Sequence, residues 1–290
     1  MRKIVMKTDN WLLVEEQNVA DHAPIVIKTS GYTSDEKAIH EPWILTQMRT
    51  LLHDNREHLP DPVIAPQRGE ALRPYEWKNV YTFYFTPECK GIKEAEEEFS
   101  DYLNSEMADK TLSIVGHSKG GLFAANLNLN KRINMVLIAP TFGTIMGDEK
   151  AVNRALDFYK RSNKNVFTHM EVNFYKWMVH RIDSRRPVDY DMALDAKYVQ
   201  KTDFSKLSKH RVLLIGAVCP QKPFCDMTDA FFRHTGKFLH LDKEGDGMVS
   251  LANQLLPKDY VTETVVLEGT HPTILNKSNY LIKRWLKEEA

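Results

Sequence analysis

Residues 110–122, KTLSIVGHSKGGL, constrain the fold of this chain more than any other stretch. Leu112-Ser113-Ile114-Val115 has the character of a buried strand, and Leu122-Phe123-Ala124-Ala125 that of a packed helix. Between them stands Gly116-His117-Ser118-Lys119-Gly120. A chain that passes from strand to helix in so few residues must turn sharply at the serine. The backbone there is strained, and its flanks must be small so that neighbouring strands can approach. Gly116 and Gly120 meet that demand. The turn also directs the N-terminus of the following helix, with its N–H groups and positive dipole end, toward the Ser118 hydroxyl. This is the layout of a nucleophile elbow, in which an oxyanion formed at the serine is stabilised by amides of the turn.

Composition narrows what surrounds the elbow. A chain of 290 residues, 42% hydrophobic and 27% charged, can bury one large core as a single domain. The formal net charge is zero, so no global field favours nucleic acid or an anionic membrane. The pairs Lys131-Arg132 and Arg185-Arg186 read as solvated surface. The N-terminal MRKIVMKTDNW reaches Asp9 before any apolar stretch of signal-peptide length, and no segment is long and apolar enough to span a bilayer. The expectation is a soluble cytoplasmic protein without stable membrane insertion. Three cysteines, Cys89, Cys219 and Cys225, argue against a disulfide framework. Cys219 and Cys225 could pair or bind metal, and read more simply as ordinary thiols near a strand end.

Along the chain, strands and helices alternate. Residues 11–15, 24–28, 80–85, 112–115, 135–139, 212–216, 238–241 and 261–267 read as β segments. Helical spacing is found over 39–53, from residue 92 with Ile92, Ala95, Phe99, Leu103 and Met107 on one face, and at the C-terminus with Ile274, Leu281, Ile282 and Trp285. This alternation predicts an α/β fold with a mainly parallel sheet covered on both faces. Residues 141–210 interrupt it with helical patterns of their own: Val152, Ala155, Leu156 and Tyr159, then Met170, Phe174, Trp177 and Met178.

At Ser30-Gly31-Tyr32, at the elbow, and at Gly245-Asp246-Gly247-Met248-Val249 followed by Gly269-Thr270-His271, the chain resembles the α/β-hydrolase superfamily. The likeness is to the lipase and esterase branches that carry GHSxGG at the elbow. The resemblance spans most of the chain and implies a core formed by residues 1–140 and 211–290, with a helical cap inserted at 141–210. It implies Ser118 as nucleophile, His271 as base and Asp246 as the acid that orients it; among the other histidines His240 shares the chain order and strand-end context. The oxyanion hole would be formed by the backbone amides of Lys119 and Tyr32. Ser30 stands where those lipases commonly have histidine, while Gly31 keeps the backbone freedom to turn an amide inward. Phe174, Trp177 and Met178 either close the cap's own core or line an acyl pocket. Asp226, Asp229, Asp242 and Glu244 also lie between Gly216 and His271. The glycines flanking Asp246 favour it, because they allow a tight turn toward the histidine loop, whereas Asp226 and Asp229 read as helix caps.

These placements predict ester hydrolysis through an acyl-enzyme on a small-molecule acyl ester, with no metal or organic cofactor. There is no His-Glu-x-x-His, no zinc-spaced cysteine pair and no phosphate loop. An acyltransferase, thioesterase or peptidase with the same triad, and a catalytically silent binding protein of the same fold, remain alternatives. Acyl chain length, leaving group and oligomeric state are left open.

Overall fold

A computed structural model of the chain describes residues 3–29, 75–86, 88–144, 149–162, 169, 172–173, 191–193, 196–220, 244–271 and 273–287. These carry one sheet built from β1 (Lys3–Lys7), β2 (Trp11–Gln17), β3 (Ile25–Thr29), β4 (Asn79–Phe85), β5 (Leu112–His117), β6 (Asn134–Ile138), β7 (Arg211–Val218) and β8 (Glu263–Glu268). Their spatial order is β1-β2-β4-β3-β5-β6-β7-β8. β1 and β2 run antiparallel to their neighbours, and every pairing from β4 onward is parallel. The helices are α1 (Ile92–Ser105), α2 (Lys119–Asn126), α3 (Glu149–Ser162), α4 (Lys197–Gln200), α5 (Ile274–Lys277) and α6 (Asn279–Lys287).

The pleat sends alternate residues of each central strand to opposite faces. Ile25, Ile27, Ile114, Met135, Leu137, Val212 and Leu214 meet α1 and α2 on one side. Val26, Val115, Val136, Ile138, Leu213 and Ile215 meet α5 and α6 on the other. Both layers are therefore dry, which is why these strands read in the sequence as nearly continuous apolar runs. An aromatic cluster locks α2 onto the sheet: the Phe123 ring stacks on Phe83 with centroids 4.3 Å apart, and Phe99 and Phe85 close around them. Because α2 starts immediately after Ser118, this packing also fixes the elbow.

The mainly parallel sheet with helices on both faces is the architecture expected from the alternation of patterns. The strands expected at 11–15 and 24–28 are present, with β4 between them. Two details differ. β1 was not anticipated, because all five of its residues are exposed and so it shows no alternation of burial to mark it. The terminal helix is two pieces, broken at Ser278, whose Oγ donates to the Leu275 carbonyl at 2.9 Å. The expected strand at 238–241 and helix at 39–53 fall outside the described residues.

The excursion after β6 leaves and re-enters the core at neighbouring points. Thr144 forms an isolated parallel bridge with Ala193, its N–H donates to the Met192 carbonyl at 2.9 Å, and its Oγ1 donates to the Met248 carbonyl at 2.8 Å. Within the excursion α3 buries Val152 and Leu156. On its return, Asp191 Oδ2 accepts the N–H of Ile92 at 2.7 Å, so the first turn of α1 is capped by a residue 99 positions away. Tyr198 and Lys206 then reach Glu96 on the same helix, at 3.0 and 3.6 Å. Burial outweighs these partners and holds the Glu96 carboxyl above the usual carboxylate range. Among the described residues no helix is long and apolar enough to cross a membrane.

Candidate active site

The turn between β5 and α2 places Ser118 at φ 58° and ψ −126°. Only a residue held from several sides stays in so sparsely populated a conformation. The Ser118 N–H donates to the Ile138 carbonyl at 3.1 Å. Its own carbonyl accepts the N–H groups of Gly121, Leu122 and Thr141 at 2.9, 3.3 and 3.2 Å. A Cβ on Gly116 would stand 2.6 Å from the Gly120 carbonyl oxygen, which explains the glycine there. A Cβ on Gly121 would likewise stand 2.7 Å from the ring of Pro140.

Ser118, His271 and Asp246, spread over 154 positions of sequence, meet in one hydrogen-bonded row at the C-terminal ends of the strands. Asp246 Oδ2 lies 2.6 Å from His271 Nδ1, and His271 Nε2 lies 2.7 Å from Ser118 Oγ. Asp246 is wholly buried, yet its other oxygen, Oδ1, accepts the N–H groups of Met248 and Val249 at 2.9 and 2.8 Å. Both flanking glycines have geometric reasons: Gly247 adopts φ 90°, and a Cβ on Gly245 would stand 2.7 Å from the Val249 carbonyl oxygen. With the carboxylate acting as acceptor, His271 carries its proton on Nδ1. Nε2 is then the bare nitrogen that accepts a hydrogen bond from the Ser118 hydroxyl.

Asp246 and His271 are also joined through the backbone, since the His271 N–H donates to the Asp246 carbonyl at 2.9 Å. The turn that carries Asp246 is held to β7 by the buried Gln254. Its Oε1 accepts the Ala217 N–H at 2.7 Å, and its Nε2 donates to the Ala217 and Val249 carbonyls at 3.2 and 2.9 Å. Nothing local in Ser250-Leu251-Ala252-Asn253-Gln254 marks that glutamine, and the sequence reading passed over it.

Lys119 opens α2, so its amide belongs to the helix N-terminus next to Ser118, while its side chain is buried with Nζ 5.1 Å from the centre of the Phe85 ring. β3 ends beside the elbow, where Thr29 Oγ1 donates to the Gly120 carbonyl at 2.8 Å. Tyr32, Phe174, Trp177 and Met178 lie outside the described residues, as do the rival acids Asp226, Asp229 and Asp242 and the cysteine Cys225. The remaining rival, Glu244, is exposed. Among the described residues no group of three or more His, Cys, Asp or Glu is placed to hold a metal ion.

His117 packs its ring 4.9 Å from that of His271 and donates from Nε2 to the His271 carbonyl at 3.0 Å. Burial first, and then the neighbouring imidazole, push its pKa down to about 3, so it is a neutral donor that ties the histidine loop to the elbow. His210, before β7, is buried, and neither of its ring nitrogens has a hydrogen-bond partner among the described residues. Burial, Lys209 and Arg132 bring its pKa to about 4. Both imidazoles take up protons less readily in the folded chain than at their usual 6.5. Their stabilising contribution is therefore complete above about pH 6.5 and is lost as pH falls toward the folded values. Melting temperature should decline from pH 6.5 to 4, and His210→Leu should flatten that decline. Identical slopes in thermal melts of the two proteins would count against this assignment.

No protein-family model matches the chain, and no curated protein matches it. Solved structures do. A lipase of Bacillus licheniformis in its mature form superposes with a TM-score of 0.57 at 12% identity, covering 97% of this chain and 99% of that one. The propeptide form of the same lipase superposes with a TM-score of 0.53 at 12% identity over 96% of this chain, which spans about half (54%) of that longer one. The fold is that of the α/β-hydrolases. At such identity the likeness concerns the path of the chain, and the α/β-hydrolase sheet carries many chemistries, so function has to be argued from the site.

Proposed function

We propose that this α/β-hydrolase chain is a serine hydrolase that cleaves carboxylic esters of small molecules through an acyl-enzyme. The observation that carries the reading is the unbroken row from Asp246 through His271 to Ser118, with contacts of 2.6 and 2.7 Å on a strained strand-to-helix turn. His271 Nε2 takes the Ser118 proton as Oγ bonds to the acyl carbon, and Asp246 stabilises the imidazolium. The same proton then passes to the departing alkoxide. Water, deprotonated by His271, attacks the acyl carbon and returns the serine. The amide of Lys119, at the head of α2, supplies one oxyanion donor, and that of Tyr32 is proposed as the second. The excursion between Thr144 and Ala193 is proposed as a cap over the site, its two ends pinned together beside the Asp246 turn.

A fluorophosphonate should label Ser118, and a panel of acyl esters, acyl thioesters and peptide esters should be turned over with preference for oxygen esters. Preference for thioesters or peptide esters would redirect the reading to thioesterase, acyltransferase or peptidase chemistry. A folded protein that takes no label would be a binding protein.

A further inference from the structure

A second hydroxyl stands at the nucleophile. Thr141 Oγ1 lies 3.3 Å from Ser118 Oγ and is almost fully buried. It reaches that place by an unusual path. After β6, Ala139 adopts φ 39°, and its N–H donates to the Ile215 carbonyl at 2.7 Å. Pro140 then fits against Gly121, and the Thr141 N–H donates to the Ser118 carbonyl at 3.2 Å. Among the described residues Ser118 and Ala139 are the two non-glycine positions with positive φ, and the second of them turns the chain that delivers Thr141 to the first.

Proton counting fixes the direction of the contact. His271 Nδ1–H is committed to Asp246, so Nε2 is bare and the one proton of Ser118 goes to it. The Ser118 oxygen then has lone pairs only, and Thr141 must be the donor. We infer that Thr141 is a positioning residue of the nucleophile. Its hydroxyl holds Ser118 Oγ in the rotamer that faces His271, and stabilises that oxygen whenever it carries negative charge, as the proton leaves it and again as it departs from the acyl carbon. The inference rests on the reading of Ser118 as nucleophile.

The test is the rate of Ser118 labelling by a fluorophosphonate in the wild type and in Thr141→Val, Thr141→Ala and Thr141→Ser, beside kcat and KM for one ester and a thermal melt of each. Loss of a hydrogen bond to a charged oxygen should slow labelling and kcat by about 10- to 100-fold in the valine and alanine variants, with KM little changed. Thr141→Ser, which keeps the donor, should stay within about threefold of wild type by the same reasoning. If the wild type labels and valine or alanine at this position labels equally fast, Thr141 has no such role and the nucleophile stands. Equal slowing in all three variants, with lowered melting temperatures, would assign the residue to packing and overturn the inference. Failure of the wild type to label would remove the nucleophile and this inference with it.

Discussion

Replacing Ser118 with alanine should reduce ester turnover by about a million-fold, to a level set by whatever the remaining amides achieve alone. The fold should survive. The strained backbone at this position does not require the hydroxyl, since Ala139, directly after β6, carries a Cβ at a positive φ. Among the described residues the Ser118 hydroxyl has two hydrogen-bond partners, His271 and Thr141. Thermal melting should therefore be nearly unchanged while turnover and fluorophosphonate labelling vanish together. A purified, folded alanine variant that still hydrolyses esters would show that the nucleophile lies elsewhere.

Asp246→Asn should cost roughly ten-thousand-fold in turnover with the fold retained. Asparagine keeps the Oδ1 acceptor for the Met248 and Val249 amides, so the turn survives. Its NH2 group, however, now faces His271 Nδ1 across the 2.6 Å contact and forces that nitrogen to accept. The imidazole proton moves to Nε2, and His271 can no longer receive the proton of Ser118. Glu244→Gln, two residues away and exposed, is the matched control and should remain active. Activity in Asp246→Asn with loss in Glu244→Gln would reverse the assignment of the acid.

How much of this was legible depends on how far apart in sequence the interacting groups lie. The central strands could be read because burial on both faces leaves a plain apolar run, and the elbow and the Asp246 turn because glycines there answer to backbone geometry within a few residues. β1 escaped because exposure on both faces removes the pattern. The cap on α1 from Asp191, the clamp from Gln254 and the hydroxyl of Thr141 escaped for a different reason. Each acts on a partner between 23 and 99 positions away, and no local spacing records such a meeting. At the elbow Gly116 was legible as a position that must stay small, whereas Gly121 was not, because Pro140, which demands it, belongs to another strand's end.

The site is divided along the seam between β6 and β7. Ser118 and Thr141 are fastened to the β5–β6 side, while Asp246, His271 and Gln254 are fastened to β7 and the chain beyond it. Within each half the site contacts join residues 23 to 37 positions apart, whereas the halves meet through the β6–β7 pairing, which closes 77 positions between Asn134 and Arg211, and through Ser118 and His271, 153 positions apart. Closing so long a loop costs entropy before any contact compensates for it, so parallel pairing at the seam belongs to the slow part of folding. Regained turnover would thus mark the moment the two halves register against one another, rather than the return of helices and strands.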